Sequence, residues 1–187
     1  MQRKNVCSGP KCLIGHYIYL KSLQKKDLKY VEKWGKDQEI MKLIGEVEPW
    51  TKKTTEKWFN EQRKSEDQVW FAIIIKHNGR MIGEAGLLRI FKPWRATDMS
   101  IIIGEKDCWG KGYGTEVAHL LFRYIFETMK FHRVSIGVVG FNKRAIRFWK
   151  KVGFKQEGIH RDGYYYNGQF SDFIMMSILE DDYKRIR

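Results

Sequence analysis

A single α+β domain built around a mixed, mostly antiparallel sheet is the architecture this sequence predicts, and three observations carry the expectation. Two Asn-Gly dipeptides, Asn78-Gly79 and Asn167-Gly168, each separate apolar, β-prone runs. Asn-Gly tolerates the positive φ angles of a two-residue hairpin turn, so each marks an antiparallel pair. Between the two hairpins the chain reads as strand, glycine-rich loop, amphipathic helix and buried strand. The 187 residues, 43% of them hydrophobic, suffice for one sizeable core and fall short of two.

Taken in order, His16 to Leu23 alternates as a first strand. Lys26 to Lys36 and Thr54 to Lys64 have helical spacing, and Gly45 to Lys53, with Pro49, is the loop joining them. Val69 to Ile75 and Met81 to Ile90 are the strands of the first hairpin, turning at His77-Asn78-Gly79-Arg80. A third antiparallel strand, Arg95 to Ile103, runs into the segment Trp109-Gly110-Lys111-Gly112-Tyr113-Gly114-Thr115. The helix after it places Val117, Leu120, Leu121, Tyr124, Ile125 and Met129 on one stripe. Arg133 to Val139 is a buried strand, and Tyr164-Tyr165-Tyr166 pairs with Phe170 to Leu179 in the closing hairpin. No internal repeat or low-complexity segment interrupts this order.

Composition narrows the function classes. The formal charge of +13, from 35 Lys and Arg against 22 Asp and Glu, suits nucleic acid, a membrane surface or an anionic cofactor. The cations are spread along the chain, at Lys25-Lys26, Lys52-Lys53, Lys143-Arg144 and Lys150-Lys151, and no recognised nucleic-acid motif accompanies them. A solvated lysine-rich surface therefore accounts for the excess, and a nucleic-acid partner is not expected. No apolar run approaches the ~20 residues of a bilayer-crossing helix. The N-terminus lacks the apolar stretch of a signal peptide, so a cytoplasmic protein with no membrane partner is expected. Cys7, Cys12 and Cys108 are odd in number and lack zinc spacing, and His16, His77, His119, His132 and His160 are dispersed; no metal is expected.

The glycine loop is the first candidate site. Gly110, Gly112 and Gly114 have no Cβ, so the chain can turn tightly and bring several N–H donors against an anion at the positive end of a helix. The spacing is neither the full dinucleotide-binding fingerprint nor a P-loop. About thirty residues on comes Asn142-Lys143-Arg144-Ala145-Ile146-Arg147-Phe148-Trp149-Lys150-Lys151-Val152-Gly153-Phe154. Together the two segments resemble the GNAT superfamily of acyl-CoA-dependent N-acetyltransferases, which carries Q/R-x-x-G-x-G/A and then N-x-x-A-x-x-x-Y-x-K-x-G-F. The closing "RDGYYYNGQFSDFIMMSIL" is further similar to the branch of spermidine acetyltransferases and ribosomal-protein N-terminal acetyltransferases. The resemblance covers roughly Leu13 to Leu179. It implies an N-terminal tail over 1–12, an acetyltransferase domain over 13–180 and a C-terminal tail over 181–187.

The resemblance also implies jobs for residues. In this family the fourth and fifth strands splay and the pantetheine arm of acetyl-CoA pairs with the fourth like an added strand, a place that Ile102, Ile103 and Gly104 would offer here. Trp109, Gly110, Lys111, Gly112, Tyr113, Gly114 and Thr115 would hold the pyrophosphate. There Lys111 would add charge and Thr115 a hydroxyl; Asn142 would reach the pantetheine amides, Ala145 would let the cofactor lie against the helix, and Lys151 is a further cofactor-binding position. Asn142 suits a helix N-cap equally, and both roles can coexist. Acetyl-CoA is thus the expected co-substrate, with direct transfer to a primary amine and no covalent enzyme intermediate.

Attack by an amine requires that it lose a proton and that the thiolate gain one. Asp98, 14 residues before Gly112, stands at the offset where some family members carry a glutamate base. Glu84, inside the apolar run Ile82 to Leu88, is the competing base, or else an outward-facing strand residue. The departure from the family pattern is Trp149, where relatives carry a tyrosine as general acid; an indole N–H donates a hydrogen bond but does not titrate usefully. Water, or a phenol among Tyr164 to Tyr166, would then protonate the thiolate, or Trp149 only packs. For the acceptor, Glu46 and Glu48 in the helix-joining loop, with Tyr164, are the candidate contacts. The open acceptors are a small amine, a polyamine, an aminoglycoside and a protein N-terminus, and a homodimer is compatible with all of them. The alternative is a catalytically weak member of the fold that binds acyl-CoA, RNA or another anion.

Overall fold

The structure, a computed structural model, describes residues 12–187. The expected tail over 1–12, with Cys7, lies outside the described residues except for Cys12, which opens the first strand. Eight strands form one sheet: β1 (Cys12–Ile14), β2 (Ile18–Ser22), β3 (Val69–Ile75), β4 (Met81–Phe91), β5 (Ala96–Ile103), β6 (Arg133–Val139), β7 (Lys155–Tyr166) and β8 (Gln169–Leu179). Their order across the sheet is β1-β2-β3-β4-β5-β6-β8-β7. Among the described residues only β5 and β6 run parallel; every other neighbouring pair is antiparallel. The six α-helices among the described residues are α1 (Leu28–Trp34), α2 (Gln38–Ile44), α3 (Lys52–Lys64), α4 (Tyr113–Phe122), α5 (Lys143–Lys151) and α6 (Glu180–Ile186). The mixed, mostly antiparallel α+β sheet read from the sequence is the one observed.

Both hairpins form at their Asn-Gly turns. Gly79 adopts φ +68°, and Asn167 and Gly168 adopt +47° and +78°. The central strands are covered on both faces, which explains why β3 reads as a continuous apolar run. Phe71, Ile73 and Ile75 face a core closed by α4, α5 and α6, whereas Ala72 and Ile74 face a second core closed by α1, α2 and α3. On the first side Val117, Leu121 and Ile125 of the expected stripe are fully buried. The helix passes into a π-helical segment, Arg123–Thr128, instead of staying α-helical to Met129.

Three elements are additional to the sequence reading: β1, α2 and α6. Helix α2 is capped by the Asp37 side chain, which accepts from Glu39 and Ile40 N–H, and ends at Gly45 in the left-handed conformation, φ +84°. Helix α6 takes up most of the expected tail over 181–187. Its Tyr183 stacks on Phe126 with centroids 5.0 Å apart and donates to Glu127 Oε1 at 2.5 Å.

The feature that positions the site is the β5–β6 pair. Pairing runs only from Ala96↔Arg133 to Asp98↔Ser135, after which β5 continues along β4 while β6 continues along β8. The two strands therefore diverge from Met99 onward and open a wedge between them, the splay expected of the fourth and fifth family strands.

Candidate active site

The wedge leads into a cleft of about 450 Å³, bounded by the end of β5, the glycine loop, and the α2 and α5 helices. Of the residues expected to meet the cofactor, Ile102, Ile103, Trp109, Gly110, Gly112, Tyr113, Gly114, Thr115, Asn142, Ala145 and Lys151 all line it. Lys111 is exposed and off the lining. Gly104 is buried beneath α1, where a Cβ would stand 2.0 Å from the Trp34 ring. Its lack of a side chain serves that packing.

The loop has the form of an anion cradle. Gly110 and Gly112 adopt φ +74° and +86°, and a Cβ at either would meet nothing within 4 Å. The open space lies where ligand atoms would sit, and left-handed glycines direct successive N–H groups into one concavity. Gly112 is also the N-cap of α4 and has no side-chain cap, so the first N–H donors of the helix point toward the cleft without a side-chain partner.

Backbone presentation along β5 differs by one residue from the expectation. Gly104 N–H donates to Ile82 O of β4 at 2.9 Å. In an antiparallel ladder alternate residues bond to the same neighbour, so Ile102 also faces β4, while Ile101 and Ile103 present their backbone to the wedge. Ile101 lines the cleft and was not singled out from the sequence. Ile103 O already accepts the Trp109 indole N–H at 2.6 Å, and the Arg144 guanidinium stacks on that indole 3.8 Å from its centroid.

Asn142 is the N-cap of α5. Its Oδ1 accepts from Ala145 N–H at 3.0 Å, while Nδ2 donates to Leu43 O at 2.8 Å and ties α5 to α2. Helix α2 contributes Ile40, Leu43 and Ile44 to the cleft wall, and α5 adds Arg144, Arg147 and Phe148. Trp149 is turned away from the cleft. It is 6% exposed and packs edge-on against Phe154 and Phe148, with centroids 5.1 and 4.8 Å away.

The two candidate bases occupy different surroundings. Asp98 sits on the last β5–β6 rung, at the closed end of the wedge, where it is ion-paired with Arg89 and absent from the cleft lining. Glu84 is 4% exposed and faces inward. It pairs across the sheet with Ala72 and Ile102, both of which pack on the α1–α3 side; Ile102 lines the cleft, while Glu84 itself, like Asp98, does not. Its Oε2 is buried without a hydrogen-bond partner among the described residues. Burial pushes its pKa up to about 8, because desolvation penalises the charged carboxylate.

On the acceptor side, Glu46 is half-buried and Glu48 exposed after α2. Tyr164 closes over Gly45 and packs on Phe141, centroids 5.8 Å apart, with its hydroxyl buried and unpartnered among the described residues. Burial raises its pKa, with Tyr166 and the Glu46 charge adding to the effect, which puts Glu46 in its electrostatic neighbourhood.

A charged lattice fixes the approach to the loop. Glu105, the second residue after β5, accepts from Lys33 Nζ at 2.7 Å, Trp34 Nε1 at 2.8 Å and Arg80 at 2.5 Å. Burial works to raise its pKa, but these donors together outweigh it and hold the carboxylate below its usual range. Lys106 pairs with Asp37 and Glu39 at 2.8 and 2.7 Å. The segment entering the glycine loop is thereby tied to α1 and α2. No group of three His, Cys, Asp or Glu is placed to hold a metal among the described residues, and no described helix is long and apolar enough to cross a membrane.

Comparison with known proteins agrees with this geometry. Residues 18–155 match the model of the acetyltransferase (GNAT) domain. The probable N-acetyltransferase YjcK of Bacillus subtilis is 32% identical over 136 residues, covering 73% of this chain and 74% of its own. The spermidine N(1)-acetyltransferase of Escherichia coli K12 is 27% identical over 180 residues, 90% of this chain and 89% of its own. Among solved structures, the spermidine N-acetyltransferase of Vibrio cholerae in complex with CoA and spermine superposes with a TM-score of 0.83 at 24% identity, over 90% of this chain and 98% of that one. With the splayed strands, the glycine cradle and the matched family model, the chain belongs to the GNAT acetyltransferases, which move an acetyl group from acetyl-CoA to an amine.

Proposed function

We propose that this enzyme acetylates a primary amine of a polyamine in the cytoplasm, with acetyl-CoA held between β5 and α5 and Glu84 as the base. The observation that carries the donor half is the wedge: the β5 edge at Ile101 and Ile103, where Ile103 O is already taken by the Trp109 indole, leads to the glycine cradle at Gly110 and Gly112. Pantetheine amides would pair along that strand edge, and the pyrophosphate would sit on the α4 N-terminus. Residues Leu43 and Asn142 close the opposite wall.

Transfer follows from these placements. The neutral amine nitrogen attacks the thioester carbonyl carbon, forming the C–N bond; the tetrahedral intermediate then collapses and the C–S bond breaks. The nitrogen's proton passes to the Glu84 carboxylate, directly or through one water, and the thiolate takes a proton from solvent, since Trp149 is buried in the core and holds no titratable proton. A carboxylate with a pKa near 8 matches the proton it must take far better than one at the ordinary value.

The polyamine assignment rests on the spermidine acetyltransferases among the relatives, with Glu46, in the electrostatic neighbourhood of Tyr164, as the carboxylate that would meet the acceptor. A net charge of +13 repels polycations at long range, so recognition falls to these local groups. The test is an amine panel with acetyl-CoA and thiol detection: kcat/KM should be highest for spermidine or spermine, above aminoglycosides, amino acids and peptide N-termini. A peptide or aminoglycoside outranking the polyamines would reassign the acceptor.

A further inference from the structure

The indole of Trp109 stands on the strand edge that the acetyl-CoA reading gives to the pantetheine arm. A short 3₁₀ turn over Lys106–Cys108 folds the chain back after β5, with the Trp109 backbone N–H donating to Lys106 O at 3.1 Å, so the ring returns to the strand that precedes it. There its Nε1 donates to Ile103 O at 2.6 Å. From the other side the Arg144 guanidinium of α5 lies 3.8 Å from the ring centroid, a cation–π contact that holds the indole in place. All three residues line the cleft. Trp109 thus touches both walls of the wedge, β5 through its N–H and α5 through its face. Of the two residues whose backbone faces the wedge, Ile101 and Ile103, one has its carbonyl engaged by a donor of the chain's own. The family motif has Gln or Arg at this position, so an indole here is a feature of this chain.

Resting on the acetyl-CoA reading above, we propose that the Trp109 indole is a resident competitor for the pantetheine arm: it holds Ile103 O in the free enzyme and must swing away before the arm pairs there, which sets how tightly acetyl-CoA and product CoA are held. An amide N–H that extends a sheet approaches the strand carbonyl from the side of the missing neighbour. At Ile103, beyond the last β5–β6 rung, the indole nitrogen already meets that oxygen at less than the usual N–H···O distance. Displacing the ring gives up this bond and the stack on Arg144, and both losses are subtracted from the affinity of any ligand that carries the arm. A ligand with the adenosine phosphates and no arm meets the glycine cradle alone and leaves the indole where it is.

The experiment compares CoA with adenosine 3′,5′-bisphosphate, which lacks the arm, on the full chain. In calorimetric titrations Trp109→Phe, which keeps an aromatic ring for Arg144 and removes the N–H, should bind CoA about threefold to tenfold more tightly than the wild type, the scale of one net hydrogen bond. The bisphosphate should bind both proteins equally. By NMR, an isotope-labelled wild type gives one indole N–H signal for each of the seven tryptophans, and that of Trp109 is the one absent from the variant. CoA should shift this signal and speed its exchange with water, whereas the bisphosphate should leave it in place. A role confined to packing the loop would make the variant bind more weakly, never more tightly. Equal or weaker CoA binding by a variant that still binds the bisphosphate overturns the competitor and leaves the acetyl-CoA reading standing, and so does a wild-type signal that CoA does not move. If the variant loses both ligands, the wild-type signal decides alone. A wild type that binds neither ligand overturns both proposals.

Discussion

Replacing Glu84 by Gln removes a charge while changing almost no volume, and its consequences can be worked out from the burial of this one carboxylate. At 4% exposure with Oε2 unpartnered, the folded-state pKa is raised from 4.5 to about 8. Near pH 7 only about a tenth of the enzyme then carries the ionised base. Turnover of the wild type should rise with pH, with a limb centred near 8. Glu84→Gln should lower kcat on the order of 10²-fold or more, the usual scale of lost general-base help, and should remove that limb. The acceptor's own ammonium adds a second limb at higher pH that both proteins share. Stability changes in the opposite sense. The native state holds the Glu84 proton across a window in which the unfolded chain has lost it, so wild-type stability falls as pH rises from 4.5 to about 8 and is level above. This cost is absent below 4.5 and amounts to a few kcal/mol above about 8. Glu84→Gln should escape it, melting above the wild type at pH 9 and close to it at pH 5. The assays are pH–rate profiles by thiol release and melting curves at the two pH values. A variant with wild-type turnover and an unchanged pH profile would refute the assignment of the base.

The other expected outcomes concern positions where sequence offset and structural placement part company. Asp98→Asn should leave kcat within a few fold of wild type, because its carboxylate is already ion-paired with Arg89; a loss on the order of 10²-fold in a steady-state assay would return the base to Asp98. Gly112→Val forces a β-branched side chain into φ +86° and into the anion cradle, so acetyl-CoA binding should be lost by calorimetry while the circular dichroism spectrum stays native. Trp149→Phe removes part of a buried ring and should lower stability by about 1–3 kcal/mol in denaturant titrations, with kcat changed less than by Glu84→Gln.

Local signals in the sequence located most of the cleft. The glycine loop, the α4 stripe and the Asn142 cap depend on residues adjacent in the chain, and all three are where the pattern put them. The short helices α2 and α6, each seven residues, offer barely two turns of periodicity, and α2 supplies the wall of Ile40, Leu43 and Ile44. Its signal was the Asp37 cap and the terminal Gly45, with the seven helix residues between them. The Glu84 side chain could not be oriented from sequence because β4 is buried on both faces, which erases the alternation that separates inside from outside. Asp98 stood at a suggestive offset, but its partner Arg89 comes from the β4–β5 hairpin register, a non-local fact. Trp149, matched by position to a catalytic tyrosine, turns into the core beside Phe154.

The central claim is transfer of acetyl from acetyl-CoA to a polyamine amine at the β5–α5 cleft. It is tested most directly by incubating the purified protein with acetyl-CoA and spermidine, and following thiol release together with the mass of the amine. The account predicts one free CoA thiol for each acetyl group gained by spermidine, at a rate that Glu84→Gln suppresses. Tight CoA binding without any acetylated product across the amine panel would contradict it, and would make the protein a binding module on an acetyltransferase fold.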